Sequence, residues 1–168
     1  MAVRQTAAIS LVLLAAGCAT PSVTKVVPVP DSIKAADSES LARIVPANGV
    51  QIYECRDSKW VFVAPEAQLF DANGRLIGKH YAGPTWESAD GSKVVGAVKS
   101  RADAPAADAI PWLLLSAKSV GGEGAFSKVT SIQRVSTAGG VAPKGGCTQA
   151  GAQTGVYYTA DYYFFTAR

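Results

Sequence analysis

The stretch "VYYTADYYFFTA" (residues 156–167) decides how this chain folds. In a strand, successive side chains point to opposite faces. Tyr158, Ala160, Tyr162 and Phe164 then share one face, and Tyr157, Thr159, Asp161, Tyr163 and Phe165 share the other. Large aromatics on both faces need cover on both. The stretch therefore reads as a central strand or as the strand that closes a barrel.

The segments before it carry the same strand chemistry. "KVTSIQRVST" (128–137) places Ile132 and Arg134 on one face and Val129 and Val135 on the other. Arg134 is expected to pair with a buried carboxylate such as Asp161. "PWLLLSAKSV" (111–120) is a continuous apolar run, as in a strand buried on both faces. Further back, "VQIYEC" and "WVFVA" flank the polar "RDSK", which makes a hairpin. Asn73-Gly74 between "AQLF" and "RLIGKHY" is the strongest turn signal, and Asp90-Gly91 between "TWES" and "KVVGAVKS" is a second. Residues 50–100 thus read as an antiparallel meander of about six strands. The whole is an all-β domain of about eight to ten strands, either a compact antiparallel sandwich or a small closed barrel. A long glycine-rich loop, "AGGVAPKGGCTQAGAQTG" (138–155), lies near its C-terminal end.

Composition agrees. At 168 residues the chain suits one domain with extensions, and an apolar share of 48% is enough for a core. The charged share of 17% with 16 glycines fits strands and loops better than a helical bundle. A net charge of +3 with no basic block argues against a nucleic-acid partner.

The N-terminal residues have the anatomy of an export signal. "MAVRQT" carries one positive charge, and "AAISLVLLAAG" is an apolar run too short for a stop-transfer helix. The run ends in "LLAAGC", with small residues before Cys18. That pattern resembles a bacterial lipoprotein signal, in which Cys18 becomes the lipid-bearing first residue of the mature chain. Ala19, where an aspartate would signal inner-membrane retention, favours the outer membrane, with the domain facing the periplasm or the cell surface. Residues 1–17 are then the signal peptide, 18–44 a Pro-, Val- and Ser-containing tether with a weakly signalled helix over 32–42, and 45–168 the single β-rich domain. Cys55 and Cys147, the remaining pair in an exported domain, are expected to form a disulfide. One histidine and no CxxC spacing give no metal site and imply no cofactor.

The set "GVQIYEC", Trp60, Ala64-Pro65, "GKHYAGPTWESADGS", "IPWLLL", "IQRVSTAGG", "GC" and "YTADYYFF", in that order, resembles the domain-of-unknown-function family 3455 over residues 45–167. The resemblance implies export and a single domain. It implies no reaction and no catalytic residues.

Candidate site residues concentrate in "GKHYAGPTWESADGS" (78–92). His80 is expected to end a strand on an apolar row with Leu76 and Gly78, "AGP" to form a corner, and Trp86-Glu87 to begin the next strand. One reading of His80, Tyr81, Trp86 and Glu87 is a packed corner. The other is a shallow ligand cleft for a small molecule or glycan, on a domain that could equally serve a protein partner. A hydrolase-like alternative makes His80 a general base oriented by Glu87 or Asp90. No nucleophile elbow or phosphate loop is present, which favours the non-catalytic binding domain. The lipid anchor is tested directly. Metabolic palmitate labelling is expected on the wild type and absent from Cys18→Ala, which should leave the membrane fraction.

Overall fold

The computed structural model describes residues 26–168. The proposed signal peptide and Cys18 lie outside the described residues. Eight strands follow one another: β1 (Glu39–Arg56), β2 (Lys59–Phe70), β3 (Leu76–Tyr81), β4 (Thr85–Ser88), β5 (Lys93–Ala102), β6 (Trp112–Ser119), β7 (Val129–Gly139) and β8 (Gln153–Ala167). Each pairs antiparallel with the next, and β8 returns to β1, so the sheet closes into a barrel. Between sandwich and barrel, the closure decides. The β1–β8 ladder is the longest in the molecule, running from Glu39 opposite Ala167 to Glu54 opposite Gln153.

Two expectations are corrected at the front of the chain. Residues 50–100 hold five strands, not six, and β1 begins at Glu39, inside the expected tether. The helix expected over 32–42 is one 3-10 turn, Asp31–Ile33. The aromatic strand β8 supplies a ladder partner for residues 39–49, and that pairing overrides weak local helix preference.

The turns follow from their residues. Asp57 and Ser58 join β1 to β2 with φ of 50° and 60°, the left-handed pair that a two-residue hairpin needs. The Asp71 carboxylate accepts from the backbone N–H groups of Asn73 (2.9 Å) and Arg75 (3.0 Å), closing the turn at Gly74. Asp90 accepts from Ser92 N–H (2.9 Å) and its hydroxyl (2.6 Å), and also reaches across to Ala125 N–H (2.8 Å).

That last bond closes one end of the barrel. Ser92 Oγ accepts from Phe126 N–H (3.1 Å), so the β4–β5 turn holds the "GGEGAF" loop over the barrel. Phe126 is buried and stacks on Phe164 with centroids 4.6 Å apart. It plugs the interior, where Val45, Ala47, Leu69, Trp86, Val94, Ile132 and Phe164 form the inner core. Register shifts tune which side chains enter. A bulge lets both Val129 and Ile132 face inward although Val135 faces out, against the simple alternation expected of β7. A slip opposite Leu69 and Phe70 packs Ile77 on the core and leaves Leu76 58% exposed, so Leu76 does not share an apolar row with His80.

A second core lies outside the barrel. Trp112, Leu114, Val135 and Tyr163 on the outer wall are covered by Val27, Val29 and Ile33. Gln133 Nε2 donates to Ile33 O (2.6 Å), Ser100 Oγ to Ser32 O (2.6 Å), and Val27 N–H to Tyr163 Oη (3.1 Å). Residues 27–33 are thus a strap bonded to the wall, and they explain why "WLLL" is buried on both faces.

At the end opposite Phe126, the glycine-rich loop is fastened by the Cys55–Cys147 disulfide, with Cα atoms 5.8 Å apart. Backbone bonds from Cys147 N–H to Ser58 O (3.1 Å) and from Cys55 N–H to Ala152 O (2.8 Å) add to it. The cystine spans a sequence separation of 92 residues. In the chain-entropy model, such a cross-link contributes up to about 4–5 kcal/mol. A Cys55→Ser/Cys147→Ser variant is expected to unfold at lower urea with an unchanged strand-type circular dichroism spectrum; an unchanged midpoint would refute the contribution.

Candidate ligand site at the open end of the barrel

The corner "AGP" sits at this open end. Gly83 takes φ +103°, and the Thr85 hydroxyl donates to Ala82 O (3.0 Å), so β3 turns directly into β4. The corner pairs His80 with Trp86 across the two strands. Both point inward and are almost fully buried. Their rings stack at 4.2 Å with planes 14° apart, and Tyr162 meets both edge-on, at 5.1 Å and 5.2 Å. Gly96 makes room for the indole, since a Cβ there would lie 2.9 Å from Trp86 Cζ3.

His80 has a defined proton. Nδ1 lies 2.9 Å from the Thr85 carbonyl, which only accepts, so Nδ1 carries the hydrogen and Nε2 the lone pair. Nε2 has no hydrogen-bond partner among the described residues. Burial pushes the His80 pKa down to about 3; the Thr85 bond opposes this and the Arg134 charge adds to it. The ring is neutral at physiological pH and too weakly basic to serve well as a general base.

The other expected site residues face elsewhere. Tyr81 and Glu87 lie on the outer wall, where the Tyr81 hydroxyl donates to Glu87 Oε2 (2.7 Å) and Lys93 Nζ stands 3.3 Å away. That hydroxyl, ahead of the lysines, holds the Glu87 carboxyl below its usual range. Asp90 is committed to the turn that seats Phe126, and the Ser92 hydroxyl, first among several donors, keeps it ionised. Neither carboxylate orients His80. The expected four-residue cleft and the His80–Glu87/Asp90 arrangement are therefore not assembled: strand alternation sends His80 and Trp86 in, Tyr81 and Glu87 out.

A different set gathers around His80. A cavity of about 250 Å³ opens between the Gly83-Pro84 corner and β1, β2, β5, β6, β7 and β8. Its walls are mostly apolar, from Phe62, Val63, Pro65, Val98, Leu113 and Leu115, and it is lined by Gln51, His80, Trp86, Arg134 and Tyr162. Phe62, Val63 and Val98 are 40–55% exposed and form an apolar rim. Arg134 donates through Nε (3.2 Å) and Nη2 (2.9 Å) to Pro111 O. It does not meet Asp161, which stands on the outer face beside Val135, where burial raises its pKa. The expected Arg134–Asp161 pair is thereby corrected. The buried amide nitrogen of Gln51 and indole nitrogen of Trp86 have no hydrogen-bond partner. Burial raises the Tyr158 phenol's pKa, against the opposing effects of the Tyr162 hydroxyl, the Arg134 charge and the nearby Gln51 side chain.

Gln51, Arg134 and Tyr162 were absent from the sequence-derived candidates as ligand residues. A signal existed for two of them: Gln51 shares strand parity with Tyr53 and Cys55, and Arg134 with Ile132, so each is a polar residue on an inward row. No group of three or more potential metal ligands occurs among the described residues.

The profile of a family described as "Protein of unknown function (DUF3455)" matches residues 35–166, a span that includes every residue of the cavity wall. No curated protein and no solved structure matches the chain.

The buried imidazole makes stability depend on pH. The unfolded chain takes up a proton on His80 below about pH 6.5 that the folded chain accepts only near pH 3. This contribution is complete above pH 6.5 and is lost as pH falls toward 3. His80 is the chain's only histidine. Carboxylates held low in the fold, such as Asp71 and Glu87, lose their contributions only below about pH 4, and Asp161 acts in the opposite sense. Unfolding free energy from urea titration should fall by about 2 kcal/mol between pH 7 and 5. His80→Gln should flatten that window, and an equal fall in the variant would show that His80 is not its source.

Proposed function

The chain belongs to the DUF3455 family of proteins of unknown function, and from the geometry of this member we propose that it is a binding protein whose barrel takes up a small, mainly apolar molecule without covalent chemistry. The observation that carries the reading is the cavity itself. One end of the barrel is filled by Phe126, while the other holds about 250 Å³ behind an apolar rim. A cavity near 150 Å³ holds benzene, so this one suits a ligand of about ten non-hydrogen atoms. Apolar walls with a few polar groups are the usual make-up of small-molecule sites, and eight-stranded barrels of this width commonly hold one small ligand.

The weak basicity of His80 and the distance of Glu87 and Asp90 favour binding over hydrolysis. Trp86 is too deeply buried to offer a stacking face to a glycan at the surface. Export and lipid anchoring through Cys18 form part of the proposal. They rest on the N-terminal sequence and agree with a cystine, which persists in oxidising compartments.

A thermal-shift screen of the purified protein with small aromatic and aliphatic compounds tests the binding reading. A ligand at a hundred times its Kd adds about 2.7 kcal/mol of apparent stability. Val98→Trp, which places bulk at the exposed rim, is expected to melt like the parent and lose the shift. A screen in which no compound shifts the wild type, or in which shifts survive Val98→Trp, would overturn the site.

A further inference from the structure

We infer that the ligand carries a small anionic head, such as a carboxylate, held by Arg134 at the cavity wall, with its apolar body lying among Phe62, Val63, Leu113 and Leu115. The inference rests on the binding reading above and narrows it to one chemical class.

Arg134 is the one charged side chain lining the cavity. Its guanidinium meets no carboxylate among the described residues; the ion pairs found there join other side chains. Nε and Nη2 both donate to a single neutral carbonyl, that of Pro111, and the guanidinium's other close polar neighbour is the neutral Tyr162 hydroxyl. A guanidinium offers five N–H donors in a planar fork shaped for carboxylates, and neutral partners leave its charge unanswered. Nothing else on the wall supplies an opposing charge. Burial keeps His80 neutral, and it holds the Tyr162 hydroxyl protonated. The cavity therefore has a net positive charge inside an apolar shell, where electrostatic interactions are stronger than in water.

The neutral groups point the same way. The nitrogens of Gln51 and Trp86 are buried donors that lack acceptors, and both residues line the cavity. Leaving such donors unsatisfied is unfavourable, and here the chain itself provides no acceptor. A head that carries negative charge matches a wall whose one charge is a guanidinium bonded only to neutral groups. A cationic head would be repelled by Arg134, and a wholly apolar ligand would leave the guanidinium's charge unanswered. The free Nε2 lone pair of His80 is an acceptor, so the head is set toward Arg134 and away from the imidazole.

Benzoate and benzamide, matched in shape and differing in charge, are the probes. With the full-length mature protein, isothermal titration calorimetry is expected to show benzoate binding about tenfold or more tighter than benzamide, because hydrogen bonds to a charged partner are the stronger class. Arg134→Gln should remove that advantage, and Arg134→Lys should restore part of it. Raising salt should weaken benzoate binding alone. If Arg134→Gln fails to fold, the wild-type comparison and its salt dependence decide the question. Benzamide binding as well as benzoate would overturn the anionic head and leave the cavity reading standing. Failure of both probes, together with a blank screen of neutral compounds, would overturn both. Benzoate binding that persists unchanged in Arg134→Gln or in Val98→Trp would place the anion elsewhere and refute the assignment.

Discussion

The pairing of β8 with β1 is the constraint on which the rest depends. Fifteen register partners along the two longest strands join the ends of the sheet. Without them the same meander would be an open sheet with two unpaired edges, each a template for association with another chain. With them the inward row of every strand is enclosed, and each residue on it must be packed, hydrogen-bonded or placed against a void. The double-faced aromatic character of β8 follows: Tyr158, Tyr162 and Phe164 fill the interior, while Tyr163 anchors the outer core.

Filling is uneven along the barrel axis, and this is what produces a site. At one end a loop folds in and delivers Phe126, guided by the Asp90 and Ser92 side chains. At the other end the long loop is held at Cys55 and Ser58 by the disulfide and by backbone bonds. The inward positions there are occupied by Gln51, His80 and Arg134, whose polar tips do not pack as hydrocarbon does. The stacked His80–Trp86 pair forms the floor between the two regimes, packed beneath and open above.

Much of this was legible in residue order. Alternation in "VYYTADYYFFTA" placed aromatics on both faces and raised closure as one of two outcomes. Asn73-Gly74 and Asp90-Gly91 marked their turns because glycine accepts positive φ, and Cys55 and Cys147 were the only cysteines left to pair. The "AGP" corner was legible too. Strand parity alone separates His80 from Tyr81 and Trp86 from Glu87, yet their nearness in sequence suggested one cluster. Two things were not legible. Bulges at Val129–Ser131 and at Ile77 shift side chains between faces, and local sequence does not mark them. The meeting of Gln51, Arg134 and Tyr162 depends on the summed register of β1, β7 and β8, a long-range quantity. Residues 26–33 looked like tether because Pro and Val without a period read as extended chain. They end in the 3-10 turn Asp31–Ile33, and the wall they cover is built by strands far later in the chain.

The strap also fixes the end of the barrel at which the described chain enters. The chain reaches the wall beside Tyr163 and Phe165, near where β1 begins and β8 ends, and Arg168 N–H donates to Ser38 O there. In a closed meander of eight strands, the first strand begins and the last one ends at the same rim as the β2–β3, β4–β5 and β6–β7 connections, which is the rim closed by Phe126. The described chain therefore starts beside the sealed base. The mouth, with its collar of Phe62, Val63 and Val98, lies at the opposite rim, so the two ends of the barrel divide the work: one receives the chain and the other stays open.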